Sequence, residues 1–278
     1  MLSGPFNLGP ENVSIRVRPF SYTLATLEQD STDREVRRAI KERWEAAYRA
    51  DTRLFPGLKF RLTSRPETNN SASGLALRLD LHITDYGIFV ATNSAARRDS
   101  KFAEYLQEQG QLFAGDKLAY FGNPLGNGSV VETSDKRIIL TKRSDAVHEY
   151  PGCYDTPGGH AEPCLHGYDS EGQFDAICNE LTEETNINAH VIIETRLIGV
   201  GSSTENFGKP EMLFMQKVDV LSSSLLPGEE VAAIETFSKD ELFDRLRTGR
   251  VRVIPPSQAL FVAYFSVHKG YDAKELFL

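Results

Sequence analysis

One stretch constrains this chain more than any other. RIILTKRS, residues 137–144, reads as a strand, TPGGHAEP, 156–163, as a glycine turn, and NELTEETNI, 179–187, as the end of a helix over about 172–186. On such a helix Glu180, Glu183 and Glu184 stand at i, i+3 and i+4 and share one face. Like charges at that spacing oppose helix formation by roughly 0.2–0.5 kcal/mol per pair. A divalent cation reverses that effect, and Mg²⁺ is a hard ion held by a few carboxylates together with water and phosphate oxygens. The adjacent glycines allow backbone to come close to the same ion. Taken alone, the glutamates also read as a solvated acidic face. The strand, turn and helix around them favour a site.

The rest of the chain supplies the layers. VSIRVRP, LKFRLTS and LALRLDLHI read as strands, the last with Leu75, Leu77, Leu79, Leu81 and Ile83 on one face. STDREVRRAIKERWEAAYRAD reads as a helix with an apolar stripe of Val36, Ile40, Trp44 and Tyr48. A short helix is expected near DSKFAEYLQEQG. GNPLGNGS, 122–129, is the best candidate linker, so the chain divides into 1–122 and 123–278. Beyond it, VVETS, HVIIETRLIGVG, EMLFMQKVDV and VAAIETF read as strands. Ser238 and Glu241 form a capping-box pattern, and a closing helix covers SQALFVAYFSVHK with Ser257 as its N-cap. Strands with helices on both sides predict an α/β fold, a mixed-sheet sandwich preceded by a smaller α+β N-terminal domain.

Composition narrows the function. With 31 Lys+Arg against 39 Asp+Glu the net charge is -8, which argues against nucleic acid and anionic membrane as partners. No targeting segment is expected at the N-terminus, and ALFVAYF, 259–265, is too short to span a bilayer. Cys153, Cys164 and Cys178 lack CxxC spacing and read as reduced thiols. The expected setting is intracellular, in the cytoplasm or nucleus.

The glycine turn and the glutamate helix resemble the Nudix signature: Gly, five residues, Glu, seven residues, then R-E-U-x-E-E-x-G-U, where U is a bulky aliphatic. Gly159 matches the leading glycine and NELTEETNI the closing nine residues. Asn179 replaces the arginine, Asn186 replaces the glycine, and the interval between Gly159 and Glu180 is six residues longer than the pattern. These departures are similar to those of the Nudix branch that cleaves UDP-glucose and UDP-galactose. LFPGLKFRLTS, ITDYGIFVATN, the NPLG turn and DTPGGHAEP extend the likeness over most of the chain.

The resemblance implies a Nudix-type α/β/α sandwich and a Mg²⁺-dependent hydrolase, with Mn²⁺ as a substitute ion. The substrate is a small-molecule nucleotide sugar, and the products are UMP and a sugar 1-phosphate. It places Glu180 and Glu184 as metal ligands beside Gly159, with Glu183 next to them. It matches Glu230 to a later loop glutamate that serves as ligand or base, although an exposed loop acid reads equally well. Arg143, His148, Asp155, His160, Glu162 and Ser257 fall where the branch contacts substrate, and Phe55 and Tyr86 fall on its uridine pocket. On residue type alone Arg143 reads equally as a surface arginine, and Phe55 and Tyr86 as core. His160, on a tight turn, has little core to fill. Two other outcomes stay open: a Nudix hydrolase of ADP-ribose or a dinucleotide, and a Nudix fold that binds nucleotide without cleaving it, motivated by Asn179 and Asn186.

Overall fold

A computed structural model describes residues 2–27, 32–71, 74–143, 150, 152–229 and 231–277. The N-terminal part runs through β1 (Leu2–Ser3), β2 (Val13–Tyr22), α1 (Arg34–Ala50), β3 (Leu58–Leu62), β4 (Glu67–Ser71) and β5 (Gly74–Asp85). A nearly continuous helical run follows: α2 (Tyr86–Phe89), a π-helical turn at Val90–Ser94, α3 (Ala95–Arg98) and α4 (Ser100–Ala114). Strands β2, β3 and β4 pair with β5 into a small mixed sheet. On the alternating strand β5, Leu77, Leu79 and Leu81 are buried, and Leu75 and Ile83 pack partly against them. Along α1 the apolar stripe buries Val36 and Ile40 and emerges at Tyr48.

The second part contains β6 (Gly126–Glu132), β7 (Ile138–Arg143), β8 (Tyr154–Asp155), β9 (Gly158–Gly159), α5 (Pro163–His166) and α6 (Ser170–Thr185). It continues through β10 (Ile192–Ser203), β11 (Lys209–Val218), β12 (Val231–Phe237), α7 (Lys239–Arg247) and α8 (Pro255–Ser266). These strands form a mixed sheet in the order β1-β10-β11-β6-β7-β12, with β8 on β7 and β9 on β6. The β11–β6 pairing is parallel and the others are antiparallel. EMLFM on β11 is apolar without alternation because both faces are covered. Met212 and Phe214 join the core with α6, while Leu213 joins the core with α8.

Two sequence expectations change. Residues 122–127 are no linker: they are buried and lead into the central strand β6. Their glycines and asparagines serve a tightly packed entry, which composition does not distinguish from a flexible one. Ser257 is not the N-cap of α8, whose cap position is Ile254. Pro255 lacks an N–H and takes the first helical turn, which places Ser257 inside the helix with its hydroxyl bonded to Asp155 in the site.

Helix α6 begins where Asp169 accepts a hydrogen bond from the Gly172 N–H (2.9 Å). It buries Phe174, Ile177 and Leu181 and ends at Asn186, whose φ of 51° is left-handed. Asparagine is among the few non-glycine residues that adopt this conformation readily, and its Nδ2 donates to Pro227 O (2.9 Å). This accounts for asparagine where the signature has glycine. One core holds Phe174 and Ile177 of α6, Leu197 and Phe214 of the large sheet, and Leu77, Leu79 and Leu81 of the small one. Because both parts share that core, calorimetry should record a single unfolding transition with equal calorimetric and van't Hoff enthalpies. Two resolved transitions would show that the shared core does not couple them.

Candidate active site

The glycine turn lies directly on the large sheet. Gly158 and Gly159 pair with Gly128 and Asn127 of β6, and the Gly159 N–H donates to Asn127 Oδ1 (2.8 Å). A Cβ on Gly158 would overlap the Asn127 carbonyl oxygen, and one on Gly159 would overlap the Glu180 carboxylate. The glycines are therefore required by close approach, one to backbone and the other to an acid.

Two of the three glutamates turn toward that backbone. Glu180 Oε1 accepts from the His160 N–H (3.2 Å), and Glu184 Oε1 lies 3.4 Å from the Gly158 N–H. Glu183 is exposed at the rim. Glu184 is largely buried beside the Thr141 hydroxyl, and its Oε2 makes no hydrogen bond of full geometry within the protein. Burial pushes its pKa well above the usual value of 4.5, and the charges of Asp155 and Glu180 push it further. Among the described residues no three Asp, Glu, His or Cys side chains form a ready ligand cluster. Mg²⁺ does not require one, since it keeps several waters and uses one or two carboxylates with substrate phosphates. A buried carboxylate oxygen without a full hydrogen bond, a second carboxylate on bare glycine backbone and raised proton affinity fit such an ion. Glu230 and His148 lie outside the described residues.

Arg143, at the end of β7, forms an ion pair with Asp155 (Nη1 to Oδ2, 2.9 Å). The other oxygen, Asp155 Oδ1, accepts from the Ser257 hydroxyl (2.7 Å) and the Thr156 N–H (2.8 Å). Three of the expected substrate contacts are thus one connected unit, with Asp155 fixing the orientation of Arg143.

His160 differs from expectation. Its Nε2 is buried without a protein partner, and burial, with lesser contributions from Lys209 and Lys59, holds its pKa well below the usual 6.5. Glu162 pairs with the buried Lys59 (2.6 Å). The Glu162 N–H donates to His166 Nδ1 (3.0 Å), and His166 Nε2 lies 3.2 Å from the Asn179 amide. Asparagine in the place of the signature arginine therefore ties the glutamate helix to the segment after the glycine turn.

A cleft of about 810 Å³ joins these groups, and Phe55 and Tyr86 from the N-terminal part line it with Tyr150. Phe55 is 74% exposed, which removes the core reading for it. The Tyr86 ring rests at 35° on Phe89, 5.5 Å between centroids. The cleft also takes Lys59, Asn127, Asn206, Lys209 and Glu211, none of which the sequence singled out. Lys59 and Lys209 each occupy a strand among buried neighbours, and Asn127 lies in the misread linker. The alternation of β3 puts Phe60 in the core and Lys59 on the opposite face, so burial of both is set by the tertiary fold and not signalled by the strand period.

A NUDIX domain family model matches residues 123–256. Nudix hydrolase 9 of Arabidopsis thaliana is 32% identical over 281 residues, covering 90% of this chain and 85% of the relative. The uridine diphosphate glucose pyrophosphatase NUDT22 of Homo sapiens is 32% identical over 200 residues, 67% of this chain and 64% of its own length. A solved NUDIX hydrolase from Alicyclobacillus acidocaldarius aligns over 51% of this chain and 90% of its own at 15% identity, with a TM-score of 0.41. The fold is a mixed α/β fold built around a glycine turn and a glutamate-bearing helix. The chain belongs to the Nudix family of hydrolases. Among its described residues no helix is long and apolar enough to cross a membrane, and Cys153, Cys164 and Cys178 are free thiols.

Proposed function

We propose that the protein hydrolyses the diphosphate bond of UDP-sugars such as UDP-glucose and UDP-galactose, releasing UMP and a sugar 1-phosphate, with Mg²⁺ as cofactor. The observation that carries this reading is one cleft holding an exposed aromatic face, an oriented arginine and a glycine-backed carboxylate pair. The names of the NUDT22 relatives support the substrate class.

Glu180 and Glu184, with the Gly159 backbone beside them, would hold the ion, and Glu183 lies at the rim of the same place. When bound, a divalent cation supplies positive charge to the diphosphate oxygens. Phosphoryl transfer depends mainly on positioning and charge stabilisation, and the remaining residues fit those tasks. Arg143 offers planar donors to phosphate oxygens, aimed by Asp155, which Ser257 holds. Phe55 and Tyr86 offer flat faces to uracil. Their contribution is of the kind that costs about 1–3 kcal/mol per base when a stacking residue is removed.

The deciding experiment incubates the protein with Mg²⁺ and UDP-glucose, UDP-galactose, ADP-ribose or NADH, with an EDTA control and chromatographic analysis of products. UMP formed from the UDP-sugars only, and only with metal, is the expected result. Cleavage of ADP-ribose instead would keep the carboxylate site and remove the uridine pocket. Binding of UDP without any cleavage would make the chain a nucleotide-binding module. Tyr86→Ala is expected to raise KM for UDP-glucose about tenfold with a smaller change in kcat, because stacking is largely uniform binding. An unchanged KM would take Tyr86 out of the pocket.

A further inference from the structure

Four buried polar atoms that make no hydrogen bond of full geometry inside the protein belong to residues lining the cleft: Glu184 Oε2, Asn127 Nδ2, His160 Nε2 and Asn206 Oδ1. The first is accounted for by the ion. His160 is among the expected substrate contacts, whereas Asn127 and Asn206 lie on a polar wall to which the proposed reaction assigns no task. In folded proteins buried polar groups are nearly always paired, so each orphan calls for an explanation.

The wall is contiguous. Asn127 accepts from the Gly159 N–H. Its chain neighbour Gly126 is opposite Glu211 in the β6–β11 register. A Cβ on Gly126 would overlap the Glu211 carboxylate and approach Lys209 Nζ. Glu211 and Lys209 are themselves a buried ion pair, each side chain 8% exposed. Asn206 begins the tight turn into β11, with its own carbonyl accepting from the Lys209 N–H (3.0 Å). That turn is anchored from the N-terminal part. The π-helical turn at Val90–Ser94 buries Asn93, whose Nδ2 donates to Asn206 O (3.0 Å) and Asn123 Oδ1 (2.7 Å). Asn123 Nδ2 in turn donates to Phe207 O (3.0 Å). Turns of this kind are frequent at functional sites.

The chemistry of the wall selects its ligand. A second phosphate would want donors only, and the Glu211 carboxylate and the Asn206 carbonyl oxygen would repel it. A base would want a flat aromatic or apolar face as well as partners for its edge, and these four side chains offer no such face. A sugar hydroxyl both donates and accepts, and a wall alternating an ammonium, a carboxylate and two carboxamides meets both demands. We infer that Asn206, Lys209, Glu211 and Asn127 form the pocket for the polyhydroxylated group beyond the diphosphate. Asn93 is the positioning residue that holds its turn. The inference rests on the UDP-sugar reading and assigns the part of that substrate which distinguishes it from other uridine diphosphate esters.

The test compares KM for UDP-glucose with KM for the P2-methyl ester of UDP, which keeps uracil, ribose and diphosphate but has no sugar on the far phosphate. Glu211→Gln preserves shape and removes the charged acceptor. Asn206→Ala removes only the side-chain amide and leaves the main-chain anchors of the turn in place. If Glu211→Gln fails to fold beside the buried ammonium, Asn206→Ala decides the matter. Each variant is expected to raise the ratio KM(UDP-glucose)/KM(methyl ester) about tenfold over the wild type. An unchanged ratio, with both KM values shifted alike, would overturn the sugar pocket and leave the UDP-sugar hydrolase reading standing. Wild-type protein that cleaves the methyl ester but no UDP-hexose would overturn both.

Discussion

Glu184→Gln is expected to lower metal-dependent turnover of UDP-glucose by at least ~10²-fold while the far-UV circular dichroism stays that of the parent. It should also make the metal-free protein more stable. In the folded chain the Glu184 carboxyl holds its proton to well above the usual 4.5, because it is buried and faces Asp155 and Glu180. In the unfolded chain it ionises near the usual value. Folded protein therefore binds the extra proton between those two pH values, and stability falls as pH rises through that window. The glutamine side chain of the variant carries no charge at any of these pH values and escapes the penalty. Thermal unfolding in EDTA should show the variant gaining over the parent as pH increases from 4.5 upward. A variant that retains turnover would refute the ligand assignment, and equal pH dependence of the two melting curves would refute the burial argument.

Gly158→Ala should cost about 3 kcal/mol of stability, at the upper end of the usual overpacking range. At about 2.1 cal/mol/K of unfolding entropy per residue, that is a fall of roughly 5 °C in Tm for a chain of 278 residues. The reason is what the new methyl meets: the Asn127 carbonyl oxygen and the Gly128 Cα (2.9 Å), backbone atoms of the central strand that cannot move alone. Gly159→Ala makes an instructive contrast. Its methyl meets the end of the Glu180 side chain, which can swing away. That variant should melt closer to the parent but bind Mg²⁺ more weakly, by about 10–100-fold. Calorimetric melting and metal titration of the two variants separate the effects, and the reverse ranking would show that the turn is held by something other than these approaches.

The two departures from the family signature illustrate how a local pattern can mislead about integrity. Read as a motif, Asn179 and Asn186 are losses. In the structure Asn186 supplies the left-handed end of α6 and a bond to Pro227. Asn179 reaches His166, which in turn holds the Glu162 backbone. Both keep the glutamate helix in place by routes other than arginine and glycine, which weakens the case for a non-catalytic module.

The layered order of the fold was legible in the sequence wherever the signal is a short-range period. Leu77, Leu79 and Leu81 alternate because every second side chain of a strand faces the core. Glu180, Glu183 and Glu184 share a face because a helix repeats every 3.6 residues. The sequence alone also determined the residues of the glycine turn and, through resemblance, the family. What it left undetermined depends on residues far apart in the chain. Glycine and asparagine at 122–127 look the same in a linker and in a buried strand entry, and only packing against Phe89 and β11 decides between them. Ser257 looked like a cap because capping is a local pattern, whereas its partner Asp155 lies 102 residues away. Lys209 and Glu211 stand two apart on β11 and share a face by the strand period, but nothing local says that this face is buried against Asn206 and Asn127. The parallel β6–β11 pairing and the anchor from Asn93 bury that charged pair beside Asn127 and Asn206, and only the tertiary fold supplies such burial.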